Sequence, residues 1–148
     1  RKKGTEMADN ATMQEIHDYL EECAKKTGTF YLMTVDGDKP ACRPVSFHML
    51  VDGKEYFGVG TFKDAYKQMI ANPNVQIVGC KGANWIRVSG TAVFDDDPAL
   101  FEKAVETLPF LKSLYNEENG RKMGIFRLKN GNAQFIEKMM EVVKTVEF

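Results

Sequence analysis

Apolar positions in this chain follow two rhythms. Between residues 12 and 27, Ile16, Tyr19, Leu20 and Cys23 recur at helical spacing, which predicts an amphipathic helix. Thr12 and Glu15 form a capping box at its start, and Gly28 offers a stop. From Thr29 the rhythm shortens. FYLMTV, ACRPVSFHML and EYFGVG read as three strands joined by VDGDKP and VDGK, two Asp-Gly turns of the kind that favours hairpins. Pro40 and Pro44 lack the amide a ladder needs, so the second strand is expected to start at Pro40 and to lie at an edge or bulge near Pro44.

FKDAYKQMIANP predicts a short helix with Ala65 and Met69 turned inward, Tyr66 and Ile70 as further candidates, and Asn72 and Pro73 at its end. VQIVGCK and, after KGAN, WIRVSGTAVF return to strand. Ile86, Val88, Ala92 and Phe94 give the second of these an apolar face, and Gly90 predicts a bend. DDDP opens a third helix, with Pro98 in its first turn and Ala99, Phe101, Ala104, Val105 and Leu108 as its expected buried stripe. FLKSLYNEENG reads as a helical turn and loop, and MGIFRLKNGNAQFIEK as a hairpin across Asn130 and Gly131 ahead of the tail MEVVKTVEF. Six or seven mostly antiparallel strands with no βαβ period predict a mainly β (α+β) fold, a closed or nearly closed barrel with packed helices. No GxGxxG joins a strand to a helix, which disfavours a dinucleotide-binding fold.

Composition narrows the partners. The 148 residues suit one domain, taken as 11–148 behind an N-terminal arm or tag remnant at 1–10. RKKGTEMADN is followed by no apolar segment, so it does not read as a secretory signal. With 43% hydrophobic and 28% charged residues the chain is of ordinary globular composition, and no apolar run suits a bilayer. The formal net charge of −1 supplies no field for a polyanion. Nucleic acid is therefore not an expected partner, and a phosphate site has to be a local cluster. Cys23, Cys42 and Cys80 are odd in number and match no CxxC or His/Cys ligand spacing. A reducing, cytoplasmic setting without structural zinc is expected.

Three segments place basic or hydroxyl groups inside otherwise apolar strand patterns. RPVSFH sets Arg43, Val45 and Phe47 on one parity and Pro44, Ser46 and His48 on the other. In GTFKDAYKQ, Thr61 and Lys63 open a helix, whose N-terminal N–H groups favour anions. NWIRVSG carries the only tryptophan, and strand alternation points Trp85, Arg87 and Ser89 to one side. Taken singly, each has a plain structural account: Arg43 and Lys63 as solvated charges, Trp85 as a rim aromatic, Arg87 as a salt-bridge partner, His48 as a hydrogen-bonded strand residue. Their occurrence together in one small barrel favours a site. No nucleophile, triad or metal constellation is visible.

These segments, TVDGDKPACRPVSF, YFGVGTFKDAYKQMIANPNV and NWIRVSGTAVFDDDP, resemble the pyridoxamine 5′-phosphate oxidase-like, FMN-binding split-barrel family, in order from about residue 12 to residue 94 and more loosely beyond. The resemblance implies a six-stranded antiparallel split barrel with flanking helices, assembled as a homodimer that holds FMN in clefts between subunits. It implies that Arg43 and the backbone of Pro44, Val45 and Ser46 lie along the flavin and its phosphate. Thr61 and Lys63 would grip the phosphate, with Gln68 on the following helix. Trp85 stands where the oxidases carry a glutamine near the ring, with Arg87 on the same face. His48 stands where they place a lysine for the substrate phosphate. It is the one substrate-side catalytic candidate, and vitamin B6 phosphates are not the expected substrate. FMN suits such a set, because a dianionic phosphate needs cations and donors while the ring needs apolar walls.

The expected function is an FMN-dependent reductase or oxidase of a small molecule, with NAD(P)H as a plausible reductant. Alternatives are a carrier of flavin, haem or deazaflavin without turnover, with His48 as a conceivable haem ligand, and a cofactor-free interaction module. The apolar segment PFLKSLY is the candidate for the dimer contact, and the arm near Arg121, Lys122 and Met123 is a candidate contributor to the partner's flavin site.

Overall fold

The computed structural model describes residues 5–148, with side chains from Thr12 onward. The elements run α1 (Thr5–Thr27), β1 (Phe30–Asp36), β2 (Lys39–Val45), β3 (His48–Val51), β4 (Lys54–Gly60), α2 (Asp64–Ala71), β5 (Asn74–Lys81), β6 (Asn84–Phe94), α3 (Pro98–Thr107), α4 (Leu111–Leu114), β7 (Met123–Glu137) and β8 (Glu141–Glu147). Of the expected arm, residues 1–4 lie outside the described part, and from Thr5 the backbone is already helical. Thr12 therefore sits inside α1 and does not cap it. No helix of the described residues is long and apolar enough to cross a membrane.

The eight strands form one antiparallel sheet in the order β2-β1-β5-β6-β7-β4-β3, with β8 added on β7. This is a split barrel with flanking helices, carrying eight strands where six were expected. The expected single strand ACRPVSFHML is two strands. β2 occupies one edge of the sheet and β3 the other, with Ser46 and Phe47 between them. Pro44 sits on the β2 edge, opposite Tyr31, where its missing N–H costs no ladder bond.

Two cores flank this sheet. The larger holds Ile16 and Leu20 from α1 against Phe30, Leu32, Phe57, Ile77, Ile86 and Phe126. The smaller holds Leu100, Ala104 and Leu111 from α3 and α4 against Met49, Tyr56 and Ile125. β4 serves both by strand alternation: Phe57 and Val59 face the first, Tyr56 the second. On α2, Ala65 and Met69 are buried, whereas Ile70 is 58% exposed. On α3 the buried stripe runs through Leu100 and Ala104, and Ala99 is exposed. Asp97 caps α3 by accepting from the Ala99 N–H at 3.0 Å. All three cysteines are free.

The largest departure from expectation is in β7. Asn130 and Gly131 do not turn the chain: β7 runs through them and stays paired with β6 on both sides, with a register shift opposite Gly90. The bend expected at Gly90 is thus present, and Asn130, at φ 51°, supplies its counterpart on β7. Gly131 is needed for a close approach, since a Cβ there would run into the Ser89 carbonyl oxygen. The true hairpin is β7–β8, turned by Lys138 and Met139 at φ 53° and 67°. No Asn or Gly marks it.

Replacing Gly131 with alanine is expected to destabilise the fold by about 1–3 kcal/mol through overpacking of β6 on β7. Urea denaturation measures this; a loss indistinguishable from zero would show that the two strands part freely at this point.

Candidate functional site

Arg43 lies opposite Leu32 in the β1–β2 ladder, on the face turned toward the larger core. A guanidinium there needs acceptors. Its Nη1 donates to the Leu32 carbonyl at 3.2 Å and to Thr34 Oγ1 at 2.7 Å, and its Nη2 donates to Gln68 Oε1 at 2.9 Å. Thr34, itself buried, donates to the same Gln68 oxygen at 2.6 Å. These bonds fix the guanidinium between β1 and α2. It carries five N–H donors in a planar fork, so capacity remains for an anion.

A cleft of about 520 Å³ opens beside it, within the roughly 300–1,000 Å³ usual for cofactor sites. Arg43, Pro44, Val45 and Ser46 line one side, Gly58, Val59 and Gly60 another, and Lys63, Asp64 and Ala65 the start of α2. Phe110, Leu111, Tyr115 and Met123 complete apolar walls. Lys63 is the N-cap residue of α2 but makes no capping bond with its side chain. The first-turn N–H groups thus have no side-chain cap. Two cations face one carboxylate, that of Asp64. The donor set suits an anion, and the walls suit an apolar group.

Of the residues expected at one site, Arg43, Pro44, Val45, Ser46 and Lys63 share this cleft. Gln68 lies behind it and holds Arg43. Thr61 is outside the lining, its N–H donating to the Lys122 carbonyl at 2.9 Å. Trp85 and Arg87 project from the opposite face of the sheet, since Ile86 and Val88 between and beyond them are buried in the core. The Arg87 guanidinium stacks on Trp85, with Cζ 5.2 Å from the ring, and donates twice to Gln134 Oε1, at 3.0 and 2.8 Å. Within one chain, Trp85 and Arg87 do not line the cleft.

His48 does not line it either. It lies buried at the other sheet edge, its ring 5.4 Å from that of Phe30. Its Nδ1 is 2.6 Å from Glu55 Oε2 and its Nε2 is 2.8 Å from Glu21 Oε1. His17 Nδ1 is 2.7 Å from the other Glu55 oxygen. The His17 pKa is raised from its ordinary value, chiefly by the hydrogen bond to Glu55 and against the opposing effect of burial.

Sequence reasoning missed Thr34, Glu55 and the pairing of the two histidines. Thr34 shares strand parity with Leu32, and Glu55 with Phe57 and Val59. A polar residue on an apolar strand face is the signal that was available.

Residues 16–141 match the family model described as pyridoxamine 5′-phosphate oxidase. No curated protein matches the sequence with significance. Among solved structures, a NimC/NimA family protein from Clostridium acetobutylicum is 31% identical, with a TM-score of 0.82 and 94% of each chain covered. A putative pyridoxamine 5′-phosphate oxidase from Listeria innocua is 15% identical, with a TM-score of 0.59 over 92% of this chain and 97% of that one. The haem storage protein HutZ from Vibrio cholerae is 14% identical, with a TM-score of 0.58 over 78% of this chain and 87% of that one. The last two show likeness of fold.

The hold on Arg43 can be measured without any ligand. Thr34→Val removes an acceptor from the guanidinium and a donor from Gln68, and is expected to cost about 1–3 kcal/mol in chemical denaturation. Combined with Gln68→Leu the loss should fall short of the sum, because the two share one network; strict additivity would contradict the coupling.

Proposed function

The chain belongs to the pyridoxamine 5′-phosphate oxidase family, and on that footing we propose that it is an FMN-binding oxidoreductase acting on a small molecule. The observation that carries this reading is the cleft itself: Arg43, held by three acceptors, and Lys63, at an uncapped helix start, border a single cavity with aromatic and apolar walls. A phosphate would take the free guanidinium donors, the Lys63 ammonium and the first-turn N–H groups of α2. The backbone of Pro44, Val45 and Ser46 would run beside the ring. FMN, when bound, supplies the electron-transfer chemistry between a reductant such as NAD(P)H and the acceptor. The protein's own share is to fix the phosphate and keep water from one side of the ring.

A homodimer belongs to the same proposal. Phe110 is 54% exposed on the cleft rim and Leu114 is 40% exposed on the neighbouring turn. Tyr31, 41% exposed, lies in the row Tyr31–Val78–Arg87–Gln134 across the outer sheet face that also carries Trp85. A second copy packed there would cover this surface. It would also give Trp85 and Arg87 access to a cleft they do not reach in their own chain. Thr61 would act through its turn, and Gln68 through Arg43.

A carrier role, with flavin, haem or deazaflavin held but not turned over, is the competing reading. Haem is disfavoured because the cleft lining contains no histidine. Three free cysteines support a reducing, cytoplasmic setting.

The purified protein should be yellow or become so with FMN, and NAD(P)H oxidation with and without an added acceptor separates turnover from carriage. Arg43→Ala and Lys63→Ala should each weaken FMN binding roughly 10- to 100-fold, the loss of one charge-assisted contact. A protein that ignores FMN, or two variants with undiminished affinity, would contradict the assignment; a Soret band would point to haem.

A further inference from the structure

A second chemical centre lies away from the cleft, where α1 crosses β3 and β4. His17 and Glu21 stand four residues apart on α1 and so share one helix face. His48 enters from β3 and Glu55 from β4. The two imidazoles are stacked, with ring centroids 4.4 Å apart and planes tilted by 38°. One ligand atom from each of His17, Glu21 and His48 lies within 4.8 Å of the other two. A separate cavity of about 520 Å³, bordered by these three residues and by Asp52, Lys103 and Glu106, opens onto them.

Glu55 gives this group its chemical direction. Its side chain is only 3% exposed, and its two oxygens take the Nδ1 atoms of both histidines, at 2.7 and 2.6 Å. A buried carboxylate bonded in this way accepts from the Nδ1–H of each ring and turns both Nε2 atoms away from it. That is the arrangement by which outer carboxylates orient metal-binding histidines. The Nε2 atoms are the ring positions that can turn to an ion: that of His17 has no partner among the described residues, and that of His48 is paired with Glu21. Glu21, whose side chain is 45% exposed, brings its carboxylate to 2.8 Å from the His48 Nε2. Two ligands about 2.0–2.1 Å from a tetrahedral ion sit roughly 3.3–3.4 Å apart. An ion entering here takes the place of the proton between His48 Nε2 and Glu21, with the partly exposed Glu21 side chain rotating to widen the gap.

We propose that His17 Nε2, His48 Nε2 and a Glu21 carboxylate oxygen bind a divalent first-row transition ion, with Glu55 orienting both imidazoles from behind. Two nitrogens and one oxygen, with further positions open to the cavity, suit Zn²⁺ or Fe²⁺ and disfavour Mg²⁺ or Ca²⁺, which prefer all-oxygen shells. Asp52 and Glu106 outweigh Lys103 on the cavity wall, so the entrance attracts a cation. The ion ties α1 to the β3 edge of the sheet. An ion-pair cluster without metal would leave the His17 Nε2 with no partner among the described residues.

The test is a Zn²⁺ titration by calorimetry of the full chain after chelator treatment and dialysis, carrying Cys42→Ser and Cys80→Ser so that exposed thiols cannot compete. Binding of one ion per chain is expected. His17→Ala and Glu21→Ala, both at partly exposed positions and checked for folding by circular dichroism, should each lose at least about tenfold in affinity. Glu55→Gln should retain the site and weaken it roughly 10- to 100-fold. Absence of stoichiometric binding, or binding that survives both alanine substitutions, overturns the proposal.

Discussion

Ser46 and Phe47 carry the chain from one edge of the sheet to the other, and the rest of the molecule depends on that crossing. β2 and β3 are consecutive in sequence yet terminate opposite ends of the strand order. Two residues between them leave the edges no freedom to part, so the sheet must roll until they meet. Closure in this way removes most of the edge exposure that makes open sheets prone to pairing with other chains. It also places Arg43 and His48, five residues apart, at two separate chemical centres.

Both centres solve the same physical problem with opposite signs. On the β2 side a guanidinium faces the core and is held by a carbonyl, a hydroxyl and an amide oxygen, none of them charged. Its positive charge is fixed in place and has no carboxylate partner among the described residues, which suits an anion. On the β3 side a buried carboxylate is held by two imidazoles, whose other nitrogens, that of His48 beside the Glu21 carboxylate, are the proposed seat of a cation. Burying either charge alone would cost several kcal/mol. Each is tolerated because its partners were already rigid parts of a strand or helix.

Much of the barrel was legible in the sequence. The Asp-Gly turns, the prolines of β2 and the alternation of β6 were read correctly, because each is a local device whose residues carry their own conformational preference. The failures have a common cause. Asn130 and Gly131 look like a turn, but Gly131 answers to the Ser89 carbonyl on a neighbouring strand. Lys138 and Met139 turn the chain without a turn composition. Thr12 reads as a cap yet lies within a longer helix. In each case the local preference of the residues did not decide the outcome. The candidate residues divide in the same way: Arg43 and Lys63 stood out by their setting and Pro44, Val45 and Ser46 through the family resemblance, whereas Thr34 and Glu55 matter only through partners distant in sequence. Trp85 and Arg87 were expected beside Arg43, and the strand parity that was read from them is what places them on the other face.

The cleft anchored by Arg43 and Lys63 is proposed to hold a phosphorylated planar cofactor. A crystal structure of the protein grown with FMN tests this most directly. The phosphate should lie within hydrogen-bond distance of the Arg43 guanidinium and the Lys63 ammonium, with the ring along Pro44–Ser46. A phosphate seated elsewhere, or a cleft without FMN at saturating concentration, would contradict it.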